Sequence, residues 1–156
     1  YASSLAAQQE AMKHGFDQVV FLDDIENKYV EELGGMNLWF VHDDGTLVTP
    51  ELGTILEGVT RNSIISLAQR LGHKVEERRF SIDEWQTGVA SGRITEVFAC
   101  GTAAVVTPVG KLTWDSGEVD AAPNGPGEVT MKLRQGLVDI QYGRADDPLG
   151  WMHKIC

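Results

Sequence analysis

The sequence predicts an α+β fold in which helices pack against a mixed or antiparallel sheet. Short runs of β-branched and aromatic residues alternate with longer amphipathic segments, without strict strand–helix–strand repetition. No internal repeat and no low-complexity segment is present. The length of 156 residues is sufficient for one domain with its own core.

The first half of the chain predicts two helices with strands between them. Residues 1–14 carry apolar side chains at helical spacing and are followed by a glycine, a common helix stop signal. Residues 18–23 predict a strand, and further strands follow, two of them forming a hairpin closed at Asp44-Gly45. Residues 59–72 place apolar side chains on one helical face and end at another glycine.

The second half predicts a strand, a short helix, two strands and a second long helix. Residues 73–81 alternate as a strand does, and Ser81 with Glu84 three positions later forms a capping-box signature. Residues 94–114 predict two strands around a Gly-Thr-Ala turn, and the Gly- and Pro-rich residues 115–128 predict a loop. The lysines and arginines of the two long helices are predicted to form solvated faces.

Composition and charge exclude several classes of protein. The formal net charge of -10 argues against a nucleic-acid partner and against anionic membrane surfaces. No apolar run approaches the ~20 residues of a membrane helix. Two distant cysteines, Cys100 and Cys156, fit a reducing compartment, so we expect a cytoplasmic protein in which Cys100 is an apolar filler. The four histidines lack metal-ligand spacing, so no metal site is predicted.

Two turns rich in small residues are candidate anion sites. Gly58 and Val59 lead into a helix for which Thr60 is a plausible N-cap, and the first helical turn offers free backbone N–H groups. Thr102 and Ala103 lie in a break between two apolar strands. Taken singly, a capped helix and a bulge without ligand are the simpler interpretations. Together, the two turns could hold one phosphate from two sides, or a phosphate and a carboxylate.

Glu31 and Glu32 lie in a predicted strand, where one side chain should face the core and the other the solvent. A carboxylate that faces inward needs a partner, for which a cationic heterocycle nitrogen would serve. The alternative is a pair of solvated glutamates at the end of a strand.

Four segments in register resemble the C-terminal large domain of branched-chain amino-acid aminotransferases, which are fold-type IV enzymes that use pyridoxal 5'-phosphate. These segments are EELGGMNLWFV, LEGVTRNSII, EVFACGTAAVVTPVG and LRQGLVDIQYGRADDPLGW. The resemblance covers essentially the whole chain, 1–156. It implies the D-amino-acid-aminotransferase-like fold, a pseudo-barrel with packed helices.

The resemblance also implies roles for individual residues around the cofactor ring. Glu32 corresponds to the acid that pairs with the pyridine nitrogen, and Tyr1 to a tyrosine that contacts the phenolic oxygen. Leu56 corresponds to a residue that packs near the ring. Asn37 and Met36 correspond to the segment behind the acid.

The same resemblance implies how the two turns divide the anionic groups. Gly58, Val59 and Thr60 correspond to the first phosphate turn, and Thr102 to the second phosphate contact. The backbone N–H groups of Thr102 and Ala103 correspond to the cradle for the substrate α-carboxylate.

The sequence departs from the family in two respects. A CxxC redox pair found in some members is replaced by Ala104 and Thr107, so thiol regulation is not expected there. None of the six lysines matches the Schiff-base lysine, which the family places a few residues before the tyrosine matched by Tyr1. We therefore expect a fragment that is inactive alone, with that lysine and an N-terminal small domain upstream.

For the full-length protein, the resemblance implies transamination between branched-chain L-amino acids (leucine, isoleucine, valine) and 2-oxoglutarate in amino-acid biosynthesis, by a homodimer. One alternative is a D-amino-acid aminotransferase or an aminodeoxychorismate lyase of the same fold. Another is a non-catalytic domain that binds a phosphorylated ligand or a partner protein. The YGRADDPLGW tail and the GGMN stretch favour the branched-chain enzyme.

Overall fold

The computed structural model describes residues 4–155, so Tyr1 and Cys156 lie outside the described residues. The helices found there are α1 (Ser4–Lys13), α2 (Val59–Arg70), α3 (Ile82–Ala90) and α4 (Glu128–Gln141). The strands are β1 (Val20–Leu22), β2 (Val30–Leu33), β3 (Met36–His42), β4 (Leu47–Thr49), β5 (Val75–Glu77), β6 (Ile94–Gly101), β7 (Val105–Pro108), β8 (Lys111–Trp114) and β9 (Gly117–Asp120).

A seven-stranded sheet is organised around β3. One edge of β3 pairs with β6 along Asn37–His42, and the other edge is shared by β2 at its beginning and β4 towards its end. β1 extends the sheet beyond β2, β5 beyond β4, and β7 beyond β6. All these pairs are antiparallel except β4 with β5. The mixed sheet and the α+β class predicted from the sequence are thereby confirmed.

The two faces of the sheet carry separate apolar clusters. Helices α2 and α4 cover the face that carries Trp39 and Phe98, whose rings stack 5.7 Å apart. The opposite face carries Phe40 against Phe80 and Trp85, and the β8–β9 hairpin contributes Leu112. Each fully buried side chain of this size contributes roughly 1.5–3 kcal/mol to folding. Because side chains alternate along β3, Trp39 and Val41 face α2 and α4, whereas Leu38 and Phe40 face the opposite side.

The loop prediction for 115–128 is wrong at its beginning. Residues Gly117–Asp120 form β9, which pairs with β8 in register, Leu112 opposite Val119. The single strand predicted after the Gly-Thr-Ala turn is also divided, into β7 and β8. Leu112 is buried against the core, and this packing stabilises a hairpin that the local Gly and Pro content did not indicate.

The beginning of α4 is held by an acid from the sheet. Its N-cap residue, Gly127, offers no side chain, and the Glu96 carboxylate of β6 accepts bonds from the N–H groups of Val129 and Thr130 at 3.0 and 2.8 Å. The Thr130 hydroxyl donates to the same carboxylate at 2.7 Å. A negative group at a helix N-terminus is also favoured by the helix dipole.

We expect Glu96→Ala to lower the free energy of unfolding by about 1–2 kcal/mol, since three donors at a helix start lose their acceptor. Urea denaturation measures the change. Glu128→Ala is the matched control, because Glu128 is an exposed acid in the first turn of the same helix. Equal stability of the two variants would contradict the capping role of Glu96.

Candidate functional site

One row of residues crosses five neighbouring strands, at the beginning of β3 and near the last residue of β6. Backbone pairing places Phe21, Glu32, Asn37, Cys100 and Val106 successively opposite one another. Residues directly opposite in a ladder project to the same face, which here is the face covered by α2 and α4. Adjacent strands lie roughly 4.8 Å apart, so two strand spacings of about 10 Å separate the backbones of Glu32 and Cys100.

Asn37 connects this row to the segment that leads into α2. Its side chain is 7% exposed, and its Nδ2 donates to the Leu56 carbonyl at 3.2 Å. A Cβ added to Gly58 would lie 2.3 Å from Asn37 Oδ1, so only glycine allows this approach. The beginning of α2 is therefore held against the row that contains Glu32.

The helix start differs from the sequence prediction in one detail. Gly58 is the N-cap residue and helix α2 begins at Val59, so the assignment of Thr60 as N-cap is wrong. The close contact with Asn37 fixes Gly58 in extended conformation, and its carbonyl accepts the first helical bond, from Asn62. Thr60 is the second helical residue.

The first turn of α2 retains the properties of an anion site. The N–H groups of Val59, Thr60 and Arg61 have no acceptor within the helix, and the N-cap residue Gly58 has no side chain that could cap them. Val59 is 81% exposed and Leu56 is 63% exposed, so a ligand can reach the turn. Free donors and the positive end of the helix dipole both favour an anion there.

The Gly-Thr-Ala break is a tight turn between β6 and β7. Gly101 pairs with Val105, and Thr102 and Ala103 are exposed at the tip. Val105 adopts a φ of 58°, a left-handed conformation that costs a β-branched residue about 1–3 kcal/mol. Strain of this kind persists where the surrounding structure imposes it. The turn begins two residues beyond Cys100, the member of the row in β6.

Both glutamates of β2 line a cavity of about 550 Å³, together with Phe21, Thr54 and Leu56. Both side chains are partly buried. Burial raises the pKa of the Glu32 carboxyl, and the charge of Glu31 raises it further. Glu31 accepts a bond from Thr54, whereas Glu32 has no hydrogen-bond or ion-pair partner among residues 4–155.

Sequence reasoning missed Arg61, because the basic residues of the long helices were predicted to be solvated. Arg61 is fully buried in the first turn of α2, where Nη2 donates to the Pro50 carbonyl at 2.9 Å and Nη1 lies 2.8 Å from the Glu77 carboxylate. Its Nε is buried without an acceptor. Arg61 shares a helical face with the buried Ile64 and Ala68, a spacing that could have revealed it.

Cys100 behaves as the apolar filler that the sequence predicts. It is buried, the Trp39 indole N–H donates to its sulfur at 3.3 Å, and burial raises the pKa of the thiol to about 11. In the described part of the chain, no group of three or more His, Cys, Asp or Glu side chains could hold a metal ion. None of the helices within residues 4–155 is long and apolar enough to span a membrane.

A second cavity, of about 760 Å³, lies on the opposite face of the sheet. Aromatic and aliphatic side chains dominate its lining, among them Phe16, Trp85, Leu112 and Trp114. None of the predicted site residues within 4–155 lines it. Glu32 and Leu56 instead line the cavity of about 550 Å³, and Asn37 contacts Leu56 and Gly58.

We expect Glu32→Gln to stabilise the ligand-free protein near neutral pH. Because the folded-state pKa of Glu32 lies above its ordinary value of 4.5, ionised Glu32 opposes folding at pH values above that raised pKa. The advantage of the variant should decline as the pH falls through the raised pKa and vanish below 4.5. Thermal unfolding as a function of pH measures this effect. Exposed Glu51→Gln is the control, and a gain that is absent or independent of pH would contradict the burial of an unpaired charge.

We expect Gly58→Ala to destabilise the protein by about 1–3 kcal/mol, because the new methyl must displace the Asn37 amide or the start of α2. Gly53→Ala is the matched control, since a Cβ at that position in the same connection meets nothing within 4 Å. Denaturant unfolding of both variants measures the difference. If G58A and G53A were equally stable, Asn37 would not enforce glycine at position 58.

The chain is similar in sequence to known aminotransferases over nearly its whole length. The chain is 54% identical over 156 residues to a probable branched-chain-amino-acid aminotransferase of Streptomyces coelicolor, and 54% identical over 159 residues to the branched-chain-amino-acid aminotransferase of Mycobacterium tuberculosis. Each alignment covers 99% of this chain but 43% of the relative. The chain therefore spans less than half the length of these relatives.

Solved structures agree in fold. A branched-chain amino acid aminotransferase from the source abbreviated T.th., solved with pyridoxamine 5'-phosphate, is 35% identical with a TM-score of 0.84, covering 100% of this chain and 47% of that one. A structure of the same enzyme with 4-methylvaleric acid gives the same TM-score of 0.84 at 35% identity and covers 100% of this chain and 48% of that one. Residues 1–112 match the family described as Amino-transferase class IV. This chain belongs to the class IV aminotransferases.

Proposed function

We propose that the protein containing this chain transfers the amino group between branched-chain L-amino acids and 2-oxoglutarate, with pyridoxal 5'-phosphate as cofactor. The observation that carries the proposal is the Glu32–Asn37–Cys100 row, with the open start of α2 and the 102–104 turn beside it. Relatives at 54% identity are named for this activity, and one solved neighbour, the T.th. enzyme, holds pyridoxamine 5'-phosphate.

The described residues fit this cofactor by their chemistry. A phosphate requires backbone donors, which the first turn of α2 supplies at Val59 and Thr60. A protonated pyridine nitrogen requires a buried anion, and Glu32 is a partly buried carboxylate whose partner is missing among residues 4–155. The cavity of about 550 Å³ beside Glu32 lies in the usual size range for small-molecule sites, roughly 300–1,000 Å³.

When bound, the cofactor acts as an electron sink for negative charge that develops at the substrate Cα. In the proposed arrangement Glu32 keeps the ring nitrogen protonated, and Leu56 packs beside the ring. The N–H groups of Val59 and Thr60 bind the phosphate together with Thr102.

The proposed substrate site lies at the turn between β6 and β7. The N–H groups of Thr102 and Ala103 hold the α-carboxylate, which orients the substrate relative to the ring. Tyr1, which lies outside the described residues, is proposed to contact the phenolic oxygen of the cofactor. The strain at Val105 is consistent with a turn whose shape serves binding.

The remainder of the machinery is proposed to lie upstream of residue 1. We assign residues 1–156 to a C-terminal cofactor-binding domain and expect an N-terminal small domain, which completes the side-chain pocket, and the lysine that anchors the cofactor. The isolated chain should have no turnover, although weak cofactor binding could survive. We also propose that the full-length protein is a cytoplasmic homodimer and that it acts in branched-chain amino-acid biosynthesis.

The test uses the longest protein that the gene encodes, assayed separately with L-leucine, D-alanine and aminodeoxychorismate. We expect amino transfer from L-leucine to 2-oxoglutarate and a cofactor absorption band. Glu32→Ala should lower kcat by roughly 100-fold or more, since the ring nitrogen loses its counter-ion, whereas exposed Glu51→Ala should not change kcat. Activity on D-alanine alone would overturn the substrate assignment, and a colourless protein without bound cofactor would overturn the reaction class.

A further inference from the structure

Arg134 of α4 holds the turn between β6 and β7. Its Nη1 donates to the Ala104 carbonyl at 3.2 Å and also to the Val106 carbonyl. These two carbonyls flank Val105, the residue with a φ of 58°. One guanidinium thus bridges both sides of the strained position, directly after the exposed N–H groups of Thr102 and Ala103.

Helix α4 is a rigid support for this arginine. Glu96 ties its first turn to β6, and Leu133 and Leu137 are buried in the cluster that also contains Val106. Within the seven-stranded sheet β7 pairs only with β6, so carbonyls on its outer edge have no ladder partner. Arg134 donates to the Val106 carbonyl of β7 and to the Ala104 carbonyl of the turn, which also accepts from the Thr107 hydroxyl at 3.4 Å. These contacts limit the conformations of the turn.

The charge of Arg134 is also unusual for this chain. Arg134 is partly buried, yet no carboxylate of the described residues lies within 4.0 Å of it. Arg61 and Arg78, the other arginines that are not exposed, each pair with an acid. In a protein with a net charge of -10, an unneutralised cation beside a turn of free N–H groups makes the local potential favourable for an anion.

We propose that Arg134 is a positioning residue that sets the affinity for the substrate carboxylate. It does so by holding the 102–106 turn in its binding conformation and by adding positive potential there. This inference rests on the proposed function, because the carboxylate cradle at Thr102 and Ala103 is part of that proposal. The cofactor phosphate is proposed to be held by the start of α2 as well as by Thr102, so cofactor affinity should fall less than carboxylate affinity.

The test compares three variants of the longest protein that the gene encodes, loaded with cofactor. Arg134→Met removes the charge and the donors, and Arg134→Lys keeps the charge but loses the planar guanidinium whose Nη1 donates to both carbonyls. Arg144→Met is the control, because it removes one arginine from the segment that follows the C-terminal end of α4. The binding probe is 4-methylvaleric acid, a carboxylate without an amino group, and hydrogen exchange of residues 100–106 reports the turn itself.

We expect R134M to weaken the binding of 4-methylvaleric acid by ~10-fold or more and to raise KM for L-leucine similarly, with kcat changed less than about threefold. Hydrogen exchange in 100–106 should be faster, R134K should recover part of the affinity, and R144M should match the unaltered protein. A folded R134M that binds the probe within about twofold of the unaltered protein would overturn the proposal.

If R134M does not fold, Arg134→Gln and R134K are judged by the same criteria. An unaltered protein that neither binds 4-methylvaleric acid nor transaminates L-leucine would refute the proposed function instead. In that case the exchange of residues 100–106 still decides whether Arg134 holds the turn, because this measurement requires no ligand. Unchanged exchange in R134M would overturn the positioning role on its own.

Discussion

The contact of the buried Asn37 amide with the segment before α2 is the interaction on which the candidate site depends. The backbone of Asn37 pairs with Glu32 on one side and with Cys100 on the other. Its side chain donates to the Leu56 carbonyl and lies against Gly58. A buried amide requires hydrogen-bond partners, so this arrangement couples the sheet to the helix start. The backbone and the side chain of one residue thus link β2, β6 and the start of α2.

The electrostatics of the site oppose those of the whole chain. The net charge of -10 would by itself disfavour an anionic ligand, yet fixed positive groups gather on the α2 and α4 face. The free N–H groups of the α2 start and the partly buried Arg134 lie there, whereas the charge of the buried Arg61 is paired with Glu77. Short-range groups in a partly desolvated site outweigh distant surface charges, which salt screens over about 10 Å. Glu32 is the exception, because burial and the neighbouring charge of Glu31 raise the pKa of its carboxyl.

Local strain and its compensation occur together in the turn between β6 and β7. A valine with a φ of 58° is unfavourable in an isolated chain, and this conformation persists because β6 pairing and Arg134 determine it from two sides. Arg61 acts comparably at the other turn, since it links the first turn of α2 to Pro50 and Glu77. Each proposed anion-binding turn therefore has an arginine behind it that is positioned to support the backbone and not to contact the ligand.

The sequence by itself determined the features that depend on local chemistry. The α+β class, the Asp44-Gly45 hairpin, the end of α2 before Gly72 and the Ser81 cap of α3 are confirmed, the last by a bond from Glu84 N to Ser81 Oγ at 3.1 Å. The two turns and Glu32 could also be selected from the sequence as candidate ligand-binding residues, because small residues in a turn and an acid in a strand are recognised from a few neighbouring residues.

Tertiary structure decided what depends on long-range contacts. Gly58 and not Thr60 caps α2, because Asn37 approaches from a strand some twenty residues earlier in the chain. The β8–β9 hairpin forms because Leu112 is buried against the opposite face of the sheet. Whether an arginine on a helix is solvated or buried depends on the elements that pack against it. The roles of Arg61 and Arg134 therefore emerged only from the packed fold, since charge and helical spacing alone do not specify a neighbour.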